Sequence, residues 1–511
     1  MRNAARTAAM MAVLTLGTKF LGFLREVFLA GFFGTSQITD AYVMAGAIPG
    51  ILFAGVFTSM SVSYMPLFSD IMAKEGRESG NRFTSQAITL SAGIAFMCAV
   101  LGIIFADQLV SVFAAGFEGE TAALTAFYLR ITFSYIVFNA AAGLLESYLQ
   151  YNGTFLKPVL AGYLQSGFVL VAIVISALLD YRLLALGLLI GTILRTLALV
   201  MFAVQRGFSW DASGKISEAA KTIVALAIPV FIGSTVNQIN TFVDKMLASG
   251  LASGSVSALN YGYLLINMIT TLTITVVVTI IYPRLTRAQS AKEVERFNRA
   301  SSAGFAIALI ISTPCALGAM LYSEPVIRLV YERGAFDQAS TELTVGAFGF
   351  YALGLVFVAV NALLVKIFYA RQDMKIPVIA GAAAALTNIA LNLALVGPLQ
   401  QRGLALATSI AACVNTVALF VLLQKNHPEV RVVESRAKAA KILAAALASV
   451  ALSWPVYIGL GRLAGLHTVI SLGVAVAAAA SAYLLLLKLL KIEELSMLGD
   501  LVKRRSPSAP K

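Results

Sequence analysis

Charged residues are scarce in this chain of 511 residues: Asp, Glu, Lys and Arg make up 12% of it, against about 25% in soluble globular proteins. Hydrophobic residues make up 59%, and the mean hydropathy is +0.85. A soluble fold could not bury that much apolar surface, and a disordered chain would need many more charges. The composition therefore predicts an all-α integral membrane protein, whose apolar side chains contact lipid.

Cysteine and histidine are also rare, which argues against a metal or disulfide framework. Cys98, Cys315 and Cys413 each lie in an apolar run, as is typical of small core or lipid-facing residues. Neither His427 nor His467 has a cysteine nearby, so a zinc site is not expected.

Enzyme motifs are missing as well. The chain lacks the phosphate-binding loop of ATPases, the G-x-S-x-G nucleophile turn and the H-E-x-x-H zinc motif. We therefore expect a transporter and not an enzyme, with no cofactor. An ion gradient such as that of Na⁺, the membrane potential or the substrate's own gradient would have to drive it.

Long apolar runs are what the chain contains in abundance. With about 20 residues for each crossing of the bilayer, we predict fourteen transmembrane helices. They are residues 8–33, 41–69, 84–113, 121–149, 158–179, 183–205, 222–247, 255–283, 299–321, 340–369, 376–396, 403–424, 439–461 and 467–487. The first run resembles a secretory signal, but Lys19, Arg25 and Glu26 interrupt it, so we expect an uncleaved span.

The basic residues fall mainly on one side of this topology. The net charge is +13, from 38 Lys and Arg against 25 Asp and Glu. With a cytoplasmic N-terminus, the inner segments hold 27 of the basic residues, the outer loops hold 5 and the spans hold 6. Because cytoplasmic loops are enriched in Lys and Arg, we predict that both termini are cytoplasmic. The same asymmetry explains the positive charge without a nucleic-acid partner.

An internal repeat relates the two halves of the chain. Phe23–Gly31 aligns with Phe242–Gly250 at an offset of 219 residues, and Pro158–Gly162 aligns with Pro377–Gly381 at the same offset. Equivalent spans are six apart, so the halves share one orientation, as in transporters with a site between parallel repeats. We predict an N-terminal half at 1–218, a C-terminal half at 219–425, and two appended spans with a cytoplasmic tail at 426–511.

Several charges lie inside predicted spans, where each costs about 2.5–3.5 kcal/mol on insertion scales unless it has a partner, a wet cavity or a function. Lys19, Arg25 and Glu26 lie in the first span, Asp40 near the start of the second and Lys245 in the seventh. One interpretation is a set of ion pairs that holds the helices of each half together. The other is a cationic cavity in which Lys19, Arg25 and Lys245 bind an anionic head group, because guanidinium suits phosphate.

A second polar cluster is predicted in the C-terminal half. Asn388 and Asn392 share one helix face, Thr408 lies in the next span, and Asp244 lies in the seventh. Such oxygen-rich groups can bind a hard cation such as Na⁺. Hydrogen bonds between helices are an equally good explanation.

Four segments together resemble a known family. They are Thr18–Glu26 (TKFLGFLRE), Thr39–Tyr42 (TDAY), Phe368–Val378 (FYARQDMKIPV) and Gly397–Leu399 (GPL). They are similar to the MurJ/MviN family of the multidrug/oligosaccharidyl-lipid/polysaccharide exporter superfamily. The resemblance implies a multi-pass flippase of the bacterial inner membrane, working by alternating access. Its substrate would be lipid II, the undecaprenyl-pyrophosphate-linked peptidoglycan precursor of cell wall biogenesis.

The resemblance also assigns roles to residues. Basic family positions fall on Lys19 and Arg25, and acidic ones fall on Glu26 and Asp40. The Na⁺ site of some members maps to the second polar cluster with Asp244, and spans 13 and 14 look like the family's groove for the lipid tail. Family arginines in spans 2 and 8 have no counterpart within 49–53 and 261–267, so the cavity is expected to be less cationic.

Two alternative functions stay open on the same scaffold. One is export of another lipid-linked oligosaccharide, and the other is ion-coupled antiport of a small molecule. The appended spans argue against the antiporter, because a soluble compound needs no lipid groove. The partners expected are a lipid-linked saccharide pyrophosphate, membrane lipids and other cell-wall synthesis proteins, and the protein is expected to act as a monomer.

Overall fold

The computed structural model describes residues 2–211, 213, 217–462 and 468–496. All regular secondary structure in these residues is helical, as sixteen α-helices and one short 3₁₀ helix. Eight basic residues counted in the topology prediction lie outside the described residues or have side chains that are not described; they are Arg2, Arg6, Lys215, Arg462, Lys503, Arg504, Arg505 and Lys511. His467 also lies outside them.

The helices follow one another with short connections. They are α1 (Arg2–Phe33), α2 (Gln37–Lys74), α3 (Gly76–Ile104), α4 (Ala106–Phe113), α5 (Gly119–Tyr151), α6 (Leu156–Leu178), α7 (Leu184–Val204), α8 (Glu218–Ser249), α9 (Ser255–Ser290), α10 (Val294–Leu321), α11 (Ser323–Tyr331), α12 (Gln338–Ala370), α13 (Lys375–Leu399), α14 (Gln401–Asn426), α15 (Arg436–Arg462) and α16 (Thr468–Leu489). The 3₁₀ helix is Tyr181–Leu183.

Each predicted span coincides with a long helix, with one correction. The window 84–113 is not one helix, because α3 ends at Ile104 and the separate α4 begins at Ala106, with Phe105 at φ −95° and ψ 21° between them. Among the described residues, eleven helices are long and apolar enough to cross a membrane by length and composition. The other three long helices are α1, α2 and α8, of 32, 38 and 32 residues.

The chain forms two compact units. The first comprises Met1–Ser257 with Arg333–Ser340, and the second comprises Ala258–Glu332 with Thr341–Lys511. Helix α8 belongs to the first unit, where it packs against α2. The predicted division at residue 218 concerns sequence repeats, and it stays a prediction.

Aromatic side chains form the core of the first unit where α2, α3 and α5 meet. Tyr64 stacks on Phe68 and on Phe83, with ring centroids 5.1 and 5.6 Å apart, and all three are buried. The hydroxyl of Tyr64 is 2.7 Å from that of Thr84, so its polar atom is satisfied inside the core. Helix α1 packs against α6, where Tyr163 donates a hydrogen bond to the Leu14 carbonyl across 2.8 Å.

A short segment that is distant in sequence completes the first unit. Within Arg333–Ser340, the Ala335 amide donates to the Gly31 carbonyl across 2.8 Å, and Thr35 Oγ1 donates to Ser340 Oγ across 2.8 Å. Gly34 has φ +59°, and a Cβ there would lie 2.4 Å from the Ala335 carbonyl oxygen. The close approach of the two loops therefore requires glycine.

The second unit has its own apolar core, formed chiefly by α9, α10, α12 and α14 around buried Ile281, Ile307 and Leu363. Helices α15 and α16 pack against each other, and α15 also packs against α10. Tyr483 of α16 donates to the Ile310 carbonyl of α10 across 3.1 Å. The two appended helices are thus attached to the second unit through α10.

Candidate functional site

Helix α1 presents an adjacent pair of opposite charges. Arg25 Nη2 lies 2.6 Å and Arg25 Nε lies 3.1 Å from the same oxygen of Glu26, Oε1. The Arg25 side chain is 30% exposed and the Glu26 side chain is 10% exposed, so only the guanidinium offers substantial surface to a ligand. Tyr42 of α2 lies within electrostatic range of both groups.

Lys245 brings a second cation to this pair. It lies on α8 and interacts electrostatically with Glu26 and with its neighbour Asp244. Packing fixes α8 here, because Phe242 contacts Phe113 with ring centroids 4.4 Å apart. At the end of the helix, the Gly116 amide donates to Ser249 Oγ across 3.1 Å. The first unit therefore brings together two cations and two carboxylates from α1 and α8.

Lys19 differs from the other predicted cations. It lies nearly two helical turns before Arg25, its side chain is exposed, and it makes no ion pair among the described residues. A charge that is free of protein partners is available to an external anion.

Asp40 has a structural partner that sequence analysis did not predict. It is 2% exposed, and its carboxylate accepts the Gly254 amide across 2.6 Å and the Ser257 amide across 2.7 Å. These amides lie at the start of α9, where the first N–H groups of a helix have no partner within it. Asp40 thus caps α9 from α2. Its predicted role in substrate binding stays a prediction.

Part of the second polar cluster lies together in the second unit. Asn392 Nδ2 donates to Asn388 Oδ1 across 3.0 Å, and Asn388 Nδ2 lies 3.4 Å from Thr408 Oγ1. Both asparagines are fully buried between α13 and α14. Asp244, the fourth predicted member, belongs to the first unit. The three residues are linked by hydrogen bonds, and their oxygens are of the type that binds a hard cation.

A large apolar cavity lies beside the appended helices. It has a volume of about 1000 Å³ and is lined by α10, α15 and α16 among others. Ile310, Pro314, Val450, Tyr483 and Leu484 contribute to its walls. Its walls are almost wholly apolar, so it suits a hydrocarbon chain better than a polar solute.

Comparison with known proteins places these features in a family. The family model for the lipid II flippase MurJ matches residues 29–487. The chain belongs to the MurJ family. It is 26% identical over 442 residues to the lipid II flippase MurJ of Burkholderia cenocepacia, a match that covers 83% of this chain and 84% of the relative. A probable lipid II flippase MurJ of Rhizobium meliloti is 28% identical over 478 residues, covering 86% and 85%.

Solved structures show the same fold. A lipid II flippase MurJ in an inward closed conformation matches with a TM-score of 0.81 at 24% identity, covering 94% of this chain and 98% of that one. An inward-facing multidrug transporter of the MATE family matches with a TM-score of 0.67 at 16% identity, covering 81% and 99%. This member of the MurJ family is therefore a multi-pass transporter of the bacterial inner membrane and not an enzyme.

One feature of the site was not predicted from the sequence. Tyr42 belongs to one of the segments that resemble the family, and in the structure it lies within electrostatic range of Arg25 and Glu26. Arg195, another charge inside a predicted span, has structural partners: its guanidinium pairs with Glu146 and also donates to Asn139 across 3.3 Å. The spacing of Tyr42 from Arg25 in sequence gives no sign of this proximity, which arises from the turn between α1 and α2.

Proposed function

We propose that this member of the MurJ family moves lipid II across the inner membrane by alternating access. The observation that carries the proposal is the group formed by Arg25, Glu26 and Lys245 within the first unit, in a chain whose family model is named for that activity. Lys19 provides a further cation on the same helix as Arg25. A pyrophosphate is the anion that such a group would bind, because guanidinium makes paired hydrogen bonds with phosphate oxygens.

Each residue has a distinct part in this proposal. The guanidinium of Arg25, which now donates twice to one oxygen of Glu26, would bind a phosphate with its remaining N–H groups. Glu26 holds Arg25 in place and limits the net positive charge, so that the substrate can leave as well as bind. Lys245 adds charge from α8, and Asp40 contributes by fixing the start of α9.

Replacement of one guanidinium tests the proposal. Arg25→Gln should abolish rescue of growth in cells depleted of their own lipid II flippase, while membrane insertion stays intact. The matched control is Arg130→Gln, which also removes a guanidinium from a long helix. Arg130 pairs with Asp107 across 2.7 Å at an exposed position, so this variant should rescue growth. An Arg25→Gln protein that rescues at the wild-type level would refute the role of Arg25.

The apolar cavity of the second unit supports a lipid-linked substrate. A polyprenyl tail would lie against its walls while the pyrophosphate is held elsewhere, and a soluble small molecule would not need such a cavity. Export of a different lipid-linked saccharide uses the same chemistry. Wild-type protein that rescues an O-antigen flippase defect but not lipid II flippase depletion would favour that alternative.

We also propose fourteen spans with both termini cytoplasmic, arranged as two parallel halves at 1–218 and 219–425 and an appended pair within 426–511. The distribution of basic residues supports the orientation, and the fourteen long helices support the count. Membrane lipids surround the chain in this proposal, it acts as a monomer, and cell-wall synthesis proteins act on the substrate before and after it.

Na⁺ is the coupling ion in a further part of the proposal. Two amide oxygens and one hydroxyl from Asn388, Asn392 and Thr408 fit an oxygen-coordinated cation, which would link transport to the Na⁺ gradient.

Thr408→Val should remove the Na⁺ dependence of growth rescue. Thr387→Val is the matched control, because its hydroxyl is exposed and bonds to its own helix. Asp244→Asn tests the fourth predicted ligand. Wild-type rescue that is equal with and without Na⁺ refutes this coupling.

A further inference from the structure

Four arginines line one cavity on the hairpin between α9 and α10. Arg284 and Arg287 come from the end of α9, and Arg296 and Arg299 come from the first two turns of α10. The cavity has a volume of about 490 Å³, within the range of about 300–1,000 Å³ that is usual for ligand sites. Its remaining lining is four alanines and Glu293, so no bulky side chain fills it.

The charge in this cavity is only partly neutralised by the protein. Glu293 pairs with Arg296 across 2.8 Å, and it is the one acidic residue in the lining. Arg287 and Arg299 are exposed and make no ion pair among the described residues. The amide groups at the start of α10 add a partial positive charge to the same place. An anion with several oxygens could accept hydrogen bonds from the guanidinium groups and from these amides at the same time.

The equivalent hairpin of the first half has a basic residue at only one of these four positions. At the repeat offset of 219 residues, Arg296 corresponds to Arg77, and Arg284, Arg287 and Arg299 correspond to Met65, Phe68 and Gly80. The basic residues of that hairpin all have partners in the protein. Lys74 pairs with Asp70 and Arg82 with Asp211, each across 2.9 Å, and Arg77 donates to the Arg206 carbonyl.

We propose that this arginine cavity is a binding site for phosphate groups, distinct from the Arg25 site and independent of the proposed function. Its ligand is a phosphodiester of net negative charge or a pyrophosphate, carried either by a membrane lipid head group or by a soluble compound. Paired guanidinium groups at i, i+3 spacing on two helices can hold two phosphate oxygens from each side. Basic pockets of this kind beside membrane helices bind anionic head groups.

Native mass spectrometry of the full chain in a neutral detergent tests the proposal. The protein is titrated in separate arms with two anionic ligands, phosphatidylglycerol and inorganic pyrophosphate. A third arm uses phosphatidylcholine, which is zwitterionic and has no net charge. Arg287→Gln/Arg299→Gln should weaken binding of at least one of the two anionic ligands, phosphatidylglycerol or pyrophosphate, by fivefold or more, and should leave binding of phosphatidylcholine unchanged. The matched control is Lys74→Gln/Lys221→Gln, which removes the same charge from exposed pairs on other helices and should bind like the wild type.

The arms separate the outcomes. A loss confined to phosphatidylglycerol identifies a lipid head group as the ligand, and a loss confined to pyrophosphate identifies a soluble one; both support the site. Equal binding by the wild type and Arg287→Gln/Arg299→Gln in both arms overturns it, as does equal weakening in the two double variants. If the glutamine variant does not fold, Arg287→Lys/Arg299→Lys replaces it. That variant keeps the charge but lacks the planar guanidinium group, so it should bind the ligand two- to threefold more weakly. Unchanged affinity again overturns the proposal.

Discussion

Both carboxylate oxygens of Asp40 are occupied by backbone amides, and this separates its structural role from any role with substrate. Asp40→Ala would leave the Gly254 and Ser257 amides buried without an acceptor. We expect the free energy of unfolding to fall by about 2 kcal/mol. Thermal unfolding of the detergent-solubilised protein measures the change. Asp180→Ala, which removes an exposed cap from the 3₁₀ helix, should cost less than about 1 kcal/mol. Unchanged stability of Asp40→Ala together with lost transport would instead assign Asp40 to substrate binding.

Gly34 is a second residue whose replacement has a definite expected result. At φ +59° a side chain is strained by about 1–2 kcal/mol, and a Cβ would also collide with the Ala335 carbonyl. Gly34→Ala should therefore lower the unfolding temperature and increase protease cleavage near Arg333–Ser340. Gly46→Ala is the control, because Gly46 is helical with no atom within 4 Å of the added Cβ, so its stability should be unchanged or slightly raised. Equal behaviour of the two variants would contradict the close approach of the loops.

At this scale the sequence predicts charged residues well and their partners poorly. Arg25, Glu26 and Lys245 could be singled out because charges inside spans are costly. The partners of Asp40 lie 214 and 217 residues further along the chain, and no local pattern connects them. The proximity of Tyr42 to Arg25 depends on how α1 and α2 turn back on each other, which residue type alone does not determine.

Helices were predicted more successfully than their interruptions. A window of apolar residues indicates a span, because the bilayer fixes its length. No proline marks the break between α3 and α4, the nearest glycine is Gly102 within α3, and Ile104, Phe105 and Ala106 are all compatible with a helix. The break depends on tertiary packing, which places buried Ala106 and Val110 of α4 in the first unit.

The segment between α14 and α15 leads to a pH prediction. His427 there lies 3.9 Å from Asp373 and 3.8 Å from Glu429, and Arg371 pairs with Glu429. Burial, with the charge of Arg371, lowers the pKa of His427 below its usual value of about 6.5, although Asp373 opposes this. The unfolded state therefore binds a proton more readily than the folded state. Above the pKa that His427 has in the unfolded chain, this residue does not lower the free energy of unfolding. As the pH falls below that pKa, protonation favours the unfolded chain and the free energy of unfolding decreases.

A pH series measures that effect. The unfolding temperature should fall between pH 7.5 and pH 5.5, and His427→Gln should flatten the part of the decline that belongs to this group. Asp211 should not contribute to the decline in this pH range, because hydrogen bonds from Ser213 and then Arg82 lower its pKa to about 2. Its contribution is retained above pH 4 and is lost only in stronger acid. An identical decline in His427→Gln and wild type would show that His427 does not cause it.

At the scale of the whole molecule, the sequence repeat and the packing divide the chain differently. The repeat places α8 with the second half, and packing against α2 places it in the first compact unit. Lys245 lies within electrostatic range of Glu26 inside that unit, so the candidate site combines residues from both predicted sequence repeats. The predicted duplication would give equivalent spans the same orientation, but it does not determine which helices pack together.

The orientation of the whole chain can be tested by labelling single cysteines. The three native cysteines, Cys98, Cys315 and Cys413, are first replaced by alanine, since each is only partly buried. With a cytoplasmic N-terminus, the connections before α3 and before α10 face the cytoplasm, and those before α5 and before α7 face outward. Lys74→Cys and Lys292→Cys sample the first pair, and Glu118→Cys and Arg182→Cys sample the second. All four positions are exposed, so access to the reagent depends on the side of the membrane.

In intact spheroplasts, a membrane-impermeant maleimide should label Glu118→Cys and Arg182→Cys only, and lysis should expose Lys74→Cys and Lys292→Cys. The physical reason is that Lys and Arg are retained on the cytoplasmic side during insertion, which fixes the direction of every later span once the first ones are set. The reverse pattern would place both termini outside. Labelling of Lys74→Cys and Glu118→Cys from the same side would show that α3 and α4 together do not cross the membrane, which would reduce the count of spans and reverse every helix that follows.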